Sequence, residues 1–239
     1  MNVKSGAPLL IVDQLSASFP SRDGSLNVLD RLSFEIGASE FVCLLGPSGS
    51  GKSTLIRILA GLLEAADGRV ILDGHKLRGP RDGVGIVFQK ANLMPWRTVR
   101  ENIRLPLELD GTSESELERV VEELIELVGL AGFEDTLPRD ISGGMAQRVA
   151  IARALAHDPE LLLLDEPFGA LDALTRDRMA GELLRVWQAR QKTVFMVTHD
   201  ITEAVYLADR VLAFSHRPAQ ITLDLKIALL RPRTPEMRY

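Results

Sequence analysis

Residues near the end of the first quarter of the chain have the spacing of a phosphate-binding loop. The pattern G-x-x-x-x-G-K-S lies between an apolar run at 41–45 and a helical pattern at 54–60. Glycines let backbone N–H groups surround phosphate oxygens, and the positive end of the following helix attracts the same anion. The lysine reaches the terminal phosphates and the serine hydroxyl binds Mg²⁺. We therefore predict an ATP site at Gly46, Pro47, Ser48, Gly49, Ser50, Gly51, Lys52, Ser53 and Thr54.

An acidic pair follows a second apolar run. Asp165 comes directly after the four leucines at 161–164, and Glu166 is the next residue. We predict that Asp165 orients Mg²⁺ through its water shell, beside Ser53, and that Glu166 polarises the attacking water as general base. An isolated pair of this kind would be interpreted as a surface feature at a strand end. The phosphate loop in the same chain favours the catalytic interpretation.

Further motifs occur around these two, in a fixed order. The run 141–148, Ile-Ser-Gly-Gly-Met-Ala-Gln-Arg, resembles the signature motif of ATP-binding cassette (ABC) proteins, and 169–172, Gly-Ala-Leu-Asp, resembles their D-loop. Gln89 follows an apolar run as the family's Q-loop glutamine does, and His199 is similar to its switch histidine. The resemblance covers nearly the whole chain. Five ordered motifs are far more specific than a phosphate loop alone.

The resemblance implies a head-to-tail homodimer with two ATP molecules sandwiched between the subunits. A helix from Ser142 to about Leu155 would direct its N-terminus at the γ-phosphate held by the other copy. The residues that would make these contacts from the second subunit are Ser142, Gly143, Gly144 and Asp172. His199 would contact the γ-phosphate and hold the water with Glu166. Gln89 would touch the metal or the water and report the γ-phosphate to the helical insertion.

Three further residues bear on this resemblance. Phe19 lies one strand upstream of the phosphate loop, where the family stacks an aromatic ring on adenine; core packing is the alternative. The common family signature begins with Leu and ends with Gln, whereas Ile141 and Met145 occupy those places here. Isoleucine keeps the apolar anchor. Methionine cannot donate a hydrogen bond to ribose, so that contact is not expected.

Apolar runs predict the strands, at 9–12, 28–36, 41–45, 70–72, 84–88, 161–164, 194–197 and 211–214. Helical segments separate the later runs, the pattern of a parallel sheet built from βαβ units. With the resemblance, this predicts an α/β P-loop NTPase fold with a mixed, largely parallel core sheet, an N-terminal antiparallel β portion and an inserted helical subdomain. One ABC ATPase domain, 1–239, is expected. Its core would comprise 1–93 and 159–239, and its helical subdomain 94–158, between the Q-loop and the signature motif.

Smaller features carry their own expectations. A helical pattern at 112–130 is predicted to start with a capping box made by Ser113 and Glu116. The single cysteine, Cys43, lies in an apolar run and is expected to be buried in a reducing compartment. Residues 231–239 look like a loose tail. We expect no C-terminal regulatory domain.

Charge and hydropathy limit the possible partners. The net charge is -5 and the isoelectric point about 5.5, which argues against nucleic acid and against a direct grip on anionic lipid. No apolar stretch of about 18 residues occurs, and the polar residues 1–6 show no signal peptide. A membrane-spanning or secreted chain is therefore not expected.

Two functional classes fit a single cassette without a membrane segment. One is the ATPase of a bacterial importer, peripheral on the cytoplasmic face of the inner membrane, with two transmembrane permease subunits and, indirectly, a periplasmic or extracellular solute-binding protein. The other is a soluble ABC ATPase of DNA repair or translation. The segment 92–102 resembles the stretch that meets a permease, with Met94, Trp96 and Arg97 as candidate contacts. This segment, 165–176 and 215–218 resemble the nitrate, sulfonate, taurine and bicarbonate importers, a subgroup that also serves pyrimidine precursors of thiamine.

Overall fold

Contacts between residues divide the chain into two units. The first holds the residues up to 81 and those from 192 onwards, and the second holds residues 82–191. The structure, a computed structural model, describes residues 7–21, 24–234 and 237. The polar start at 1–6, from which we expect no signal peptide, lies outside the described residues. None of the helices in the described ranges is long and apolar enough to cross a membrane.

The elements alternate between strands and helices along most of the chain. The first unit begins with β1 (Leu10–Ser21), β2 (Gly24–Ile36), β3 (Phe41–Leu45), α1 (Lys52–Leu59), β4 (Asp67–Leu72) and β5 (His75–Lys76). The second unit contains β6 (Val84–Val87), α2 (Val99–Leu109), α3 (Glu114–Leu127), a 3₁₀ helix (Pro138–Asp140), α4 (Gly143–Leu155), β7 (Leu161–Asp165) and α5 (Ala173–Arg190). The first unit resumes with β8 (Thr193–Thr198), α6 (Ile201–Leu207), β9 (Arg210–Phe214) and β10 (Ile221–Lys226).

The first unit contains two kinds of β structure. An antiparallel sheet has the order β2-β1-β4-β5, with Leu10 opposite both Ile36 and Leu72. In the other, β3 runs parallel to β8 and β9, and β10 pairs antiparallel with β9. The side chains of β3 at 41–44 are fully buried, as expected for a strand covered on both faces. Cys43 is fully buried, as predicted, and this burial raises the pKa of its thiol.

The second unit combines a parallel strand pair with packed helices. β6 and β7 are parallel and pair from Val84 opposite Leu161 to Val87 opposite Leu164. Helices α2, α3 and α4 contact one another through apolar faces. Residues 94–158, all of them described, contain helices and no strand. The unit extends beyond them, to 82–191, because it also includes β6, β7 and α5; the helical subdomain at 94–158 stays a prediction.

The predicted capping box at Ser113 is wrong. Ser113 is the N-cap residue of α3, but its side chain makes no capping hydrogen bond. Glu116 instead accepts hydrogen bonds from Arg119, one turn further along, at 2.6 and 3.1 Å. The capping box in this unit lies at the start of α2, where Thr98 accepts from the Glu101 N–H and the Glu101 carboxylate accepts from the Thr98 N–H.

The predicted loose tail is also wrong for residues 231–234. Arg233 is 5% exposed, and its guanidinium donates to the carbonyls of Val205, Tyr206 and Ala208 at 2.8–3.1 Å. Arg231 pairs with Asp209 at 2.8 Å. The last carbonyls of a helix have no partner within it, so a guanidinium that reaches them can replace water. Through these contacts the two arginines hold residues 231–234 against the end of α6.

Candidate functional site

The predicted phosphate loop connects β3 to α1 in the first unit. Lys52, the first residue of α1, is buried, and its ammonium donates to the carbonyls of Gly46 at 2.8 Å and Pro47 at 3.1 Å. A further turn is closed by the Ser50 N–H, which donates to the Pro47 carbonyl at 3.2 Å. These bonds close the loop around the lysine side chain. The loop is therefore closed by its own hydrogen bonds, and its binding of phosphate stays a prediction.

Gly51 explains why the motif needs a glycine before the lysine. Its φ is +106°, outside the range that residues with a side chain ordinarily adopt. A Cβ at this position would lie 2.6 Å from Val28 Cγ1 and 2.9 Å from Leu29 Cδ2. Helix α1 therefore starts from a residue that has no side chain with which to cap it. Ser53, in its first turn, is exposed and Thr54 is half-buried.

Two other predicted residues also lie in the first unit. His199 is exposed and directly follows β8. Phe19, near the end of β1, is half-buried and pairs with Leu26 of β2, one of the exposed leucines. A half-buried ring in a hairpin can offer a face to a base. Stacking of Phe19 on adenine stays a prediction.

A buried network holds the turn that carries His199. The Thr198 hydroxyl donates to the carboxylate of Glu203 and accepts from the Asp200 N–H at 3.1 Å. Asp200 caps α6 by accepting from the Glu203 N–H at 3.0 Å. Glu203 is only 3% exposed. The sequence reasoning missed Glu203, and no local pattern marks it, because a glutamate in the first turn of a helix is ordinarily a solvated residue.

The acidic pair of the second unit lies where β7 ends. Asp165 is its last residue and is buried, and Glu166 follows with a positive φ of 45°. The Glu166 carbonyl accepts from the Gly169 N–H at 3.1 Å. A Cβ added at Gly169 would lie 3.2 Å from Gln89 Nε2 and 3.5 Å from Glu166 Oε2. The structure thus brings the predicted general base and the Q-loop amide together around this glycine.

The signature segment forms the predicted helix start. Ser142 is the N-cap of α4, and its hydroxyl oxygen accepts from the Met145 N–H at 3.2 Å. Ser142 and Gly143 are exposed, whereas Gly144 is buried. The serine hydroxyl still has a proton to donate, and the first turn of α4 has backbone donors of its own. This arrangement can receive an anion from outside the unit.

Asp172 of the D-loop is the N-cap of α5. Its carboxylate accepts from the Thr175 hydroxyl at 2.7 Å and from the Thr175 N–H at 3.0 Å. These hydrogen bonds hold the pKa of the Asp172 carboxyl below its ordinary value. The same turn packs on the signature segment, because a Cβ at Gly144 would lie 3.1 Å from Thr175 Cγ2. The interface role of Asp172 stays a prediction, while its structural role is to start α5.

The segment 92–102 is organised by a buried asparagine that the sequence reasoning did not single out. Asn102 is fully buried, and its amide nitrogen donates to the carbonyls of Met94, Arg97 and Thr98 at 2.9–3.2 Å. Its oxygen accepts from the Met94 N–H at 2.8 Å. The loop that this amide fixes presents Trp96 with 73% of its surface exposed. With four hydrogen bonds from its side chain, Asn102 fixes the conformation of the loop that precedes α2.

The other two candidate contacts of this segment are less available than Trp96. Arg97 pairs with Glu108 at 2.7 Å, so its charge is already matched within the unit. Met94 is half-buried. Of the three candidate contacts, Trp96 is therefore the one that is fully available to a partner.

The predicted metal ligands are of three chemical kinds: the Ser53 hydroxyl, the Asp165 carboxylate and the Gln89 amide. Mg²⁺ prefers oxygen donors, keeps several waters and is bound together with substrate phosphates, so a site with few protein ligands fits it. Among the described residues, no group of three or more His, Cys, Asp or Glu side chains could hold a metal by itself. Ser53 lies in the first unit and Asp165 and Gln89 lie in the second, so a magnesium ion held by all three stays a prediction.

Comparison with known proteins agrees with these motifs. The ABC transporter family profile matches residues 29–169. An ABC transporter ATP-binding protein of Methanocaldococcus jannaschii is 50% identical over 94% of this chain and 84% of its own. The aliphatic sulfonates import ATP-binding protein SsuB of Bacillus cereus is 44% identical over 93% and 88%, and the nitrate import ATP-binding protein NrtD of Synechocystis is 46% identical over 92% and 83%.

Solved structures agree with the fold. A dimeric ATP-binding cassette in a post-hydrolysis state, bound to ADP and Pi, superposes with a TM-score of 0.80 at 31% identity and covers 92% of this chain and all of its own. The predicted fold class, α/β with a mixed, mostly parallel sheet and an antiparallel sheet, is confirmed. The family profile and the relatives identify an ATPase. The chain belongs to the ABC transporter family, as one of its ATP-binding cassettes.

Proposed function

We propose that this chain is the ATP-hydrolysing subunit of an importer for a small anion or organic solute of the nitrate and sulfonate kind. The observation that carries the proposal is the exposed Trp96, presented by a loop that the Asn102 amide fixes from inside. Aromatic side chains that a fixed loop presents to solvent are typical anchors at interface centres. The names of the SsuB and NrtD relatives, both import ATP-binding proteins, support the same class.

The proposed working form is a head-to-tail homodimer with two ATP molecules between the subunits. Gly46–Ser53 would hold the phosphates from one copy, and Ser142, Gly143 and Gly144 would approach the γ-phosphate from the other. Two solved cassettes of the same fold are described as dimeric, one of them with ADP and Pi. The dimer would bind two permease subunits at the cytoplasmic face of the membrane, and a solute-binding protein would deliver the solute to them.

The proposed chemistry assigns one role to each polar group. Glu166 accepts a proton from the attacking water, while His199 holds that water and the γ-phosphate. Ser53, Asp165 and Gln89 would hold Mg²⁺, which neutralises developing charge on the phosphates. Asp172 would contact the partner subunit across the interface. Phe19 would stack on the adenine ring, where a half-buried aromatic face gives affinity without a base-specific hydrogen bond.

The Glu166→Gln variant tests the catalytic part of this proposal. We expect ATP binding to remain while turnover falls by two or more orders of magnitude, about the contribution of general acid–base catalysis. The bound ATP should then hold the dimer together, and light scattering after gel filtration should record twice the monomer mass. Hydrolysis at the wild-type rate would show that Glu166 is not the base.

The Trp96→Ala variant tests the importer part. The isolated chain should hydrolyse ATP at the wild-type rate, and co-purification with the permease should be lost. Leu109→Ala is the matched control, because Leu109 lies in the same unit and is 79% exposed. Normal co-purification of the Trp96 variant, or loss of its basal hydrolysis, would contradict the docking role.

A further inference from the structure

The loop between β9 and β10, residues 215–220, lies beside the phosphate loop. A Cβ at Gly46 would lie 3.0 Å from the Cβ of Phe214, the last residue of β9, and a Cβ at Gly49 would lie 3.5 Å from Arg217 Nη2. Both loops belong to the first unit. Arg217 therefore places a guanidinium against the middle of the segment that is predicted to surround the phosphates.

Hydrogen bonds hold the backbone of this β9–β10 loop in place. The Ser215 N–H donates to the Gln220 carbonyl at 3.0 Å, and the Ser215 hydroxyl oxygen accepts from the Gln220 N–H at 3.0 Å. The Ala219 N–H donates to the Val28 carbonyl of β2 at 2.8 Å. Arg217 therefore projects from a turn that is already fixed, so only its side chain has to be ordered when it binds a ligand.

The guanidinium of Arg217 is available to an anion. Arg217 is exposed, and within the part of the chain that the structure describes no carboxylate pairs with it. By contrast, Arg210 at the start of β9 pairs with Asp224. Guanidinium groups bind phosphate through two parallel hydrogen bonds, so an exposed arginine beside a phosphate loop is suited to a phosphate ligand. The segment 215–218, part of the importer resemblance, has no role in the predicted site.

The contacts of the β9–β10 loop with β2 indicate which phosphates Arg217 would reach. Phe19, the predicted adenine contact, lies opposite the third residue of β2, and Leu29, the sixth, forms a bridge with Ala219. Leu29 Cδ2 would also lie 2.9 Å from a Cβ at Gly51. The β9–β10 loop thus meets β2 between the predicted adenine contact and the phosphate loop. The phosphates nearest to adenosine are the ones that ADP and ATP share.

We propose that Arg217 binds a phosphate shared by ADP and ATP, in the same subunit that holds the nucleotide on Gly46–Ser53. The inference rests on the ATP site of the proposed function and adds a second cation to it. Lys52 is buried and donates to carbonyls of the loop, whereas Arg217 is exposed and can turn toward an arriving ligand. Because Arg217 binds a group that does not react, it strengthens nucleotide binding and leaves the hydrolysis step unchanged.

Titration calorimetry of the isolated chain with ADP and Mg²⁺ tests the proposal, because ADP lacks the γ-phosphate. Arg217→Ala should raise the dissociation constant about tenfold, the lower end of the range for a hydrogen bond to a charged group, since this site is open to water. Arg217→Lys keeps the charge without the paired donors and should recover part of the loss. Arg78→Ala is the matched control and should bind ADP like the parent, because Arg78 is an exposed arginine of the same unit.

Chemical modification reports the contact directly. Phenylglyoxal reacts with exposed arginines, and the rate at each position can be followed by mass spectrometry of peptides. Saturating ADP should slow the modification of Arg217 and leave that of Arg78 unchanged. An Arg217 that reacts at the same rate with and without ADP would show that it does not contact the nucleotide.

The Lys52→Ala variant separates this inference from the ATP site on which it rests. If the parent binds ADP, Lys52→Ala weakens that binding and Arg217→Ala does not, the inference is overturned and the phosphate loop stands. Equal losses in Arg217→Ala and Arg78→Ala would also overturn it, because the effect would then come from the net charge of the unit. A parent that binds neither ADP nor ATP would overturn the inference and the proposed ATP site together.

Discussion

Helices α1 and α4 both begin at a predicted phosphate contact, but their first turns are built differently. α1 follows Gly51, a left-handed residue that offers no side-chain cap. α4 follows Ser142, an extended residue whose hydroxyl accepts from the Met145 N–H. An uncapped start leaves its backbone donors to an anion, whereas a capped start has satisfied one of them itself.

This difference suggests separate roles for the two helix starts, one in binding ATP and the other in forming the dimer. The loop before α1 is already closed by hydrogen bonds from Lys52, so little ordering remains to be done when phosphate arrives. The start of α4 is exposed at Ser142 and Gly143, and it forms no such enclosure by itself. We therefore expect α1 to determine the affinity of the monomer for ATP. We expect α4 to act only when a second copy supplies the nucleotide.

The largest expected effect comes from removing the lysine of α1. Lys52→Ala should weaken ATP binding by about ten- to a hundredfold, the range for a lost hydrogen bond to a charged group, in equilibrium titration with the isolated chain. The control is Lys76→Ala, because Lys76 is an exposed lysine of β5 in the same unit. Far-ultraviolet circular dichroism must show that both variants are folded. Unchanged affinity of the folded Lys52 variant would contradict the phosphate-loop assignment.

A different outcome is expected at the start of α4. Ser142→Ala should leave the ATP affinity of the monomer unchanged and lower turnover by about tenfold, since a hydrogen bond to the charged γ-phosphate in the closed dimer contributes at least about 1.5 kcal/mol. The control is Ser113→Ala, which alters an N-cap serine that makes no capping bond. If Ser142→Ala weakens binding to the monomer as strongly as Lys52→Ala, the two helix starts do not have separate roles.

The strands could be predicted because their signal is local. β3 is an unbroken apolar run, and its observed bounds, Phe41–Leu45, equal the predicted ones. β10 was missed because only one of its faces is apolar and Thr222, Asp224 and Lys226 interrupt the run. α2 was not predicted as a helix, since Pro106 lies within it and the apolar spacing is short. Edge strands and helices containing proline carry weak local patterns.

The site residues could be predicted where a motif fixes both the residue types and their spacing. The roles of residues that depend on tertiary contacts could not be predicted. The loop at 46–53 and the helix start at Ser142 follow from sequence. The role of Arg233 could not be predicted, because its side chain donates to three carbonyls at the end of α6, which are distant from it in the sequence. Glu203 and Asn102 are similar: each is a polar residue in a helix whose burial depends on packing. A sequence pattern indicates which residues could bind a ligand. It does not indicate which polar side chains become buried and so need hydrogen-bond partners within the protein.

The contrast between capped and uncapped helix starts recurs in α2 and α3, where no phosphate is expected, and there the effect should be smallest. Thr98→Ala removes a capping box and should lower the free energy of unfolding by about 1 kcal/mol. Ser113→Ala removes no capping bond and should change it by no more than a few tenths of a kcal/mol. Urea denaturation of the two variants and the parent measures both values. Equal losses would mean that Ser113 also caps its helix in solution, and the assignment of caps used for α1 and α4 would then have to be tested helix by helix.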